Sequence, residues 1–302
     1  MRIAYLTART FRGAALAPGA LPSLEEDDYP LIAAAGAAEG VAFEPRYWDD
    51  AGAADAGYDA ALIRSCWDYT SQTGRFIAAL EGLEARGLRV FNPSAVVRWN
   101  AEKRYLQALQ AAETPVIPTL WLDRVDARLA AQAFDAFEAA EIVLKPQVGA
   151  GSQGTIRLKR NSWSEGDLIA GPQGAAMAQP FYPAIETEGE LSLFYFGGEL
   201  AHVIRKIPQG GGWFANDLKA RFLPEEADRK AQEVARAALA AAPAGLVYAR
   251  VDLVRDPAGR LRVIELELIE PYLFLAFARG DAPLALVRAL KAAAEGSPVL
   301  SG

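Results

Sequence analysis

Along the first ninety residues, apolar positions switch between the period of a strand and the period of a helix. The pattern predicts a strand over 2–7, an Ala-rich helix over 29–39 ended by Gly40, and a strand over 41–47. A second round follows, with a strand over 58–63, a helix over 74–86 closed by Gly87, and a strand over 88–91 ended by Asn92-Pro93. Strands and helices alternating at this length imply a small parallel sheet with helices on both faces, so residues 1–95 read as one α/β domain.

Beyond Asn100 the spacing predicts a helix over 101–109, which stops before an extended Thr114-Pro115-Val116-Ile117-Pro118 connector. A helix over 127–140 then leads into a strand, a glycine-rich loop and a second strand within Ile142–Leu158. A strand over 177–182 passes into a Pro-containing crossover that reads as a domain hinge. Residues 190–196 and 199–207 alternate around Gly197-Gly198, a strong hairpin signal. A helix is expected over 224–242, a second hairpin over 246–254 and 260–268, and helical segments over 273–278 and 283–295. The carboxyl-terminal part is therefore α+β with a largely antiparallel sheet.

Composition narrows the class. The chain has 302 residues and is 52% hydrophobic, yet no apolar run reaches the roughly 18 residues that a membrane helix needs. No signal-peptide pattern opens it, so a cytoplasmic location is the expectation. One cysteine, Cys66, excludes an internal disulfide framework, and the single histidine, His202, argues against histidine-rich zinc chemistry and reads as a structural strand residue. A net charge of −7 disfavours generic nucleic-acid binding, so an anionic ligand would need local Lys and Arg clusters.

Several stretches could supply that chemistry. Gly149-Ala150-Gly151-Ser152-Gln153-Gly154 spells a dinucleotide-binding fingerprint, but Thr155-Ile156-Arg157-Leu158-Lys159 behind it has the period of a strand instead of a helix. A strand-loop-strand hairpin fits better, with backbone N–H groups for phosphate oxygens and Lys145 just ahead; an ordinary glycine-rich hairpin loop is the alternative. Arg64-Ser65-Cys66-Trp67-Asp68-Tyr69 follows the third strand, at the end of a parallel sheet where ligands bind. Arg64 there suits a substrate carboxylate, although the loop could equally serve to cover the core. Asp252 and Glu265-x-Glu267 lie on the two strands of the last hairpin, where three carboxylates on one face suit magnesium or manganese. The competing reading is a solvated acidic face paired with Arg250, Arg260 and Arg262. Arg205 and Lys206 place positive charge beside the Gly210-Gly211-Gly212 loop, as phosphoryl chemistry requires.

Taken in order, Lys103 before a T-P-x-x-P connector, Lys145 before a glycine loop, the hinge strand, Asp252, and Glu265-x-Glu267 resemble the ATP-grasp ligases. Residues 177–185 and 205–211 are similar to bacterial glutathione synthetase, and the likeness runs from about 96 to 271. Glu267 stands where that family commonly has Asn, and the Glu265-to-Pro271 ending together with 64–69 looks like a smaller stand-alone branch that includes the ligase closing the ring of D-cycloserine. The resemblance implies an ATP-grasp fold, two α+β subdomains (96–178 and 179–302) gripping ATP behind a Rossmann-like domain (1–95). It implies that Lys103 and Lys145 contact ATP phosphates under a loop containing Gly151, Ser152, Gln153 and Gly154. Gln179, Phe181 and Tyr182 would line the adenine site, largely through backbone groups, with Glu190, or else Glu186, on the ribose. Arg205, with Lys206, would act catalytically on an acyl phosphate, and Asp252, Glu265 and Glu267 would bind Mg²⁺ or Mn²⁺. Arg64, Trp67, Asp68, Tyr69 and Gly211 are the expected substrate contacts. The expected activity is ATP-dependent ligation of a small amino-acid-like carboxylate to an amine or related nucleophile, with ADP and phosphate as products. The expected partners are small molecules, with no nucleic acid or membrane, and a homo-oligomer is compatible. A nicotinamide-dependent oxidoreductase and a non-catalytic ATP-binding protein are the alternatives.

Overall fold

A computed structural model describes residues 1–11, 24–149, 151, 153–210, 212–213 and 220–296. Its first sheet follows the sequence pattern closely. Strand β1 (Arg2–Thr7), helix α1 (Leu24–Glu39), β2 (Ala42–Tyr47), β3 (Ala60–Ile63), α2 (Thr73–Ala85) and β4 (Arg89–Phe91) build a parallel sheet in the order β2-β1-β3-β4. Helix α1 starts five residues before the apolar pattern does and runs through Pro30. Its early turn carries Asp28, which is buried as an acceptor for the N–H groups of Leu273 and Leu275 and so leaves no apolar signal.

The expected helix over 101–109 is replaced by two, α3 (Ser94–Asn100) and α4 (Tyr105–Ala111). Between them the Lys103 N–H donates to the Gln147 carbonyl, so a tertiary bond takes the place of a helical one and Lys103 sits in a turn. Strand β5 (Leu120–Leu122), α5 (Ala127–Phe137), β6 (Glu141–Pro146), β7 (Ile156–Lys159) and β8 (Ala176–Pro180) follow, then a single turn of helix, α6 (Ala184–Thr187). They form an antiparallel sheet ordered β5-β8-β6-β7. Because β7 pairs antiparallel with β6 and no helix follows the glycine loop, the dinucleotide reading loses the helix N-terminus on which it depends.

The third sheet contains β9 (Glu190–Phe196), β10 (Glu199–Ile207), β11 (Arg221–Glu225), β12 (Tyr248–Arg255) and β13 (Leu261–Glu267), ordered β11-β10-β9-β12-β13. Here the expected helix over 224–242 is shortened. Pro224 lies in edge strand β11, where a missing N–H is tolerated, and helix α7 (Arg229–Ala240) begins only at the Asp228 cap. Residues 275–277 make one 3-10 turn in place of the expected helix over 273–278, and α8 (Ala282–Ala294) closes the fold. One hydrophobic core joins the first sheet (Ile3, Tyr5, Leu62) to the third (Phe194, Phe196, Tyr248) through Phe274 and the α8 residues Leu286 and Leu290. Among the described residues no helix is long and apolar enough to cross a membrane.

Candidate active site

Strands β12 and β13 carry the acidic residues, and their register decides which of them meet. Asp252 lies opposite Glu265 and Arg250 opposite Glu267, with a bulge immediately after Asp252. Single ligand atoms of Asp252, Glu265 and Glu267 all lie within 4.8 Å of one another. Burial, with Glu265 and Asp252 close by, pushes the Glu267 carboxyl up to about 7, against the pull of Arg250. Burial likewise opposes ionisation of Glu265, but the Lys103 ammonium, 2.5 Å away, outweighs it and holds this carboxyl below its ordinary value. An oxygen-only, crowded, mostly buried donor set of this kind fits a hard divalent cation.

Cations surround the carboxylates. Lys206 is fully buried and bonds Glu190 at 3.0 Å and Asp252 at 3.2 Å; burial alone would lower its pKa, yet these two acids hold it above the usual lysine value. Arg250 forks onto Asp252 and Glu267 and donates Nη1 to the Tyr272 carbonyl at 3.2 Å. Ser192 donates to Asp252 at 2.6 Å. Lys103 also reaches the Gly149 carbonyl at 3.2 Å, which ties the glycine loop to β13. Lys145 feels Glu265, Glu190 and Asp252 but makes no ion pair or hydrogen bond among the described residues, and burial lowers its pKa. Four carboxylates (Glu190, Asp252, Glu265, Glu267) thus face four cations (Lys103, Lys145, Lys206, Arg250), of which Lys145 alone has no ion pair among the described residues.

Most of the expected phosphate-site residues therefore converge, but Arg205 does not. It lies on the opposite face of β10 from Lys206 and pairs with Glu225 of β11, also donating to the Glu188 carbonyl at 3.2 Å. The guanidinium in the cluster belongs to Arg250, expected from the sequence only as a partner of a solvated acidic face. Its signal is Arg-x-Asp within a strand, which puts the two side chains on one face. Glu190 lies within the carboxylate network beside Lys206, and Glu186 pairs with Arg157 at 2.6 Å. At the hinge the Gln179 side chain bonds Thr119 at 3.0 Å, and the Phe181 N–H is donated to the Glu141 carbonyl. The Tyr182 N–H makes no hydrogen bond among the described residues. Gly151, Gln153 and Gly154 are exposed on the β6–β7 loop, the two glycines with φ of +60° and +65°. Ser152 and Gly211, two expected contacts, lie outside the described residues.

At the end of the first sheet the expected substrate contacts divide. Asp68 accepts from Trp48 at 2.9 Å and Gln72 at 3.4 Å, and Trp67 donates to Thr10 at 3.0 Å, so both tie the segment after β3 to the loops after β2 and β1. The Tyr69 ring packs on Phe76; burial, with Glu270, Glu267 and Glu265 nearby, raises its hydroxyl well above the ordinary value. Arg64 is buried, donates Nη2 to the Pro271 carbonyl and lies 3.8 Å from Asp28. Its Nε and Nη1 are buried without a hydrogen-bond partner among the described residues.

Residues 3–92 match a family model described as the N-terminal domain of the D-cycloserine synthetase DcsG. The chain is 33% identical over 280 residues to the cycloserine biosynthesis protein DcsG of Streptomyces lavendulae, covering 87% of this chain and 92% of that protein. It superimposes on the crystal structure of D-cycloserine synthetase DcsG with a TM-score of 0.77 at 29% identity, covering 97% of this chain and 100% of the other. It also superimposes on the ATP-grasp ligase PsnB complexed with minimal precursor, Mg and ADP, with a TM-score of 0.64 at 18% identity over 97% and 98% of the two chains. The chain therefore belongs to the family of D-cycloserine synthetase DcsG, and its fold is that of the ATP-grasp ligases.

Proposed function

We propose that this ligase couples a small amino-acid-like carboxylate to an amine or related nucleophile through an acyl phosphate. A substrate carboxylate oxygen attacks the γ-phosphorus of ATP, and the bond to the β,γ-bridging oxygen breaks to release ADP. The nucleophile then attacks the acyl carbon, loses a proton, and expels phosphate. Asp252, Glu265 and Glu267 would hold magnesium (or manganese), which neutralises phosphate oxygens when bound. Arg250, in place of Arg205, offsets charge that develops on the transferring group, with Lys206 fixing Asp252 beside it. Lys103 and Lys145 bind phosphate oxygens, under a loop containing Gly151, Gln153 and Gly154. Tyr182 offers its main-chain N–H to the base at the hinge. Arg64 takes a substrate carboxylate or carbonyl on its two spare nitrogens.

The observation that carries this reading is the half-buried Lys145 ammonium, which makes no ion pair or hydrogen bond among the described residues, beside three converging carboxylates. In this reading 1–95 helps bind substrate while 96–178 and 179–302 grip ATP, in a cytoplasmic enzyme that acts on small molecules. Because a relative 33% identical is the cycloserine biosynthesis protein DcsG, a ring-closing reaction, with carboxylate and nucleophile in one molecule, is the first case to test. Purified protein with Mg²⁺, ATP and a panel of amino acids and amino-acid derivatives is expected to release ADP and phosphate with one of them, and mass spectrometry of the product separates ring closure from joining of two molecules. Release of AMP and pyrophosphate instead would overturn the mechanism.

A further inference from the structure

Strand β13, which carries Glu265 and Glu267, is an edge strand, and an edge strand ordinarily leaves a row of main-chain groups unpaired. Here main-chain bonds join Val263 to Pro115 and Ile117, and side chains take the groups on either side of Glu267. The Leu266 N–H donates to the Tyr105 hydroxyl at 3.0 Å. The Asn100 amide donates Nδ2 to the Leu266 carbonyl at 2.9 Å and accepts from the Leu268 N–H at 2.9 Å. Asn100 thus does for β13 what one peptide of a neighbouring strand would do, and its two bonds fall on either side of Glu267. It is buried at the end of α3, three residues before Lys103, whose ammonium holds Glu265.

We propose that Asn100 is a positioning residue for the carboxylate pair Glu265 and Glu267, with Tyr105 assisting, and that it acts on divalent-metal affinity by fixing the register and direction of the strand. The inference rests on the reading of Asp252, Glu265 and Glu267 as a metal site. A carboxylate ligand is useful only when its oxygens are held in place, and residues that orient ligands without touching the metal typically change affinity by about 10–100-fold when removed. Asn92 supplies an internal comparison. It is also a buried amide and shares Leu268 with Asn100, but it takes only the carbonyl there, on the side away from Glu267, and its other bonds go to the Tyr248 carbonyl and the Val247 N–H where β12 begins.

The test is binding of Mn²⁺ with ADP, followed by electron paramagnetic resonance on the full chain, for wild type, Asn100→Leu, Tyr105→Phe and Asn92→Leu, with melting temperature measured alongside. Asn100→Leu is expected to weaken Mn²⁺ binding by about tenfold, and Tyr105→Phe to shift it less in the same direction. Asn92→Leu is expected to lower the melting temperature and leave Mn²⁺ affinity within twofold of wild type. If folded Asn100→Leu and Tyr105→Phe both bind Mn²⁺ as wild type does, or if Asn92→Leu weakens binding as much as Asn100→Leu, the proposal is wrong. Should wild type itself fail to bind Mn²⁺ with ADP, the metal-site reading fails instead.

Discussion

Arg205 and Lys206 are adjacent in sequence and opposite in consequence. Successive strand side chains point to opposite faces, so one lies against Glu225 at the outer strand while the other is buried between Glu190 and Asp252. Arg250→Met is therefore expected to lower kcat by roughly 10²–10³-fold, the scale of losing a preorganised charge, whereas Arg205→Met should change it by no more than a few-fold. Steady-state kinetics of ADP release decide this, and equal losses would return Arg205 to the catalytic group. His202 makes a second residue-level prediction. It stacks on Phe194 with ring centroids 4.2 Å apart, donates Nε2–H to the Leu273 carbonyl, and burial pulls its pKa down to about 4. The unfolded chain takes that proton near 6.5, so between about pH 6.5 and 4 the unfolded state binds more protons and stability rises with pH. The contribution, roughly 3 kcal/mol, is complete above pH 6.5 and lost as pH falls through 4. Urea unfolding of His202→Phe across that window should show a flatter pH dependence than wild type; parallel curves would remove the histidine from the account.

At the level of elements, backbone positions constrain the site as tightly as side chains do. Gly189, just before β9, has φ +77°, and a Cβ there would come 2.2 Å from the Lys206 carbonyl oxygen. Gly189→Ala must push β9 and β10 apart at the residue that anchors Asp252, so it is expected to cost about 3 kcal/mol and to reduce activity even where the variant remains folded. Thermal melting and ADP release measured together test this, and an unchanged melting temperature would contradict it. The hairpins β9–β10, β12–β13 and β6–β7 were legible because alternation and Gly turns are local signals. The break between α3 and α4 was not, since it depends on Gln147 accepting from Lys103 forty-four residues earlier in the chain. Strand β11 was hidden for a related reason: Pro224 suits a helix start as well as an edge strand, and only pairing with β10 distinguishes them.

For the whole molecule, the parallel sheet does not bury its own apolar surface. One face packs on α2, with Phe76, Leu80 and Leu83, but the other shares a core with Phe194, Phe274 and α8. Helices α1 and α8 lie side by side, joined by the Arg288–Glu39 ion pair at 2.8 Å. A fragment ending at residue 95 is therefore expected to lack stable structure, since it loses the partner of one whole face. Far-UV circular dichroism of that fragment checks this, and a cooperative melt would show that the sheet folds alone. In the same way Leu286→Ala, in the shared core, should destabilise the intact chain by about 2–5 kcal/mol.

The sequence by itself determined the strand and helix periods, the hairpin turns, the order of Lys103, Lys145, Asp252, Glu265 and Glu267, and through that order the family. These are properties of near neighbours or of spacing, which a linear chain carries intact. Tertiary structure decided that Arg250 and not Arg205 enters the cluster, that Asp68 and Trp67 tie neighbouring loops together while Arg64 keeps buried donors without a partner among the described residues, and that Asn100 pairs with the edge of β13. Strand alternation separates Arg205 from Lys206 and aligns Arg250 with Asp252, but which face meets the acidic cluster is set by tertiary packing; the contacts of Arg64 with Pro271 and of Asn100 with Leu266 join residues more than a hundred positions apart and leave no periodic trace in the sequence.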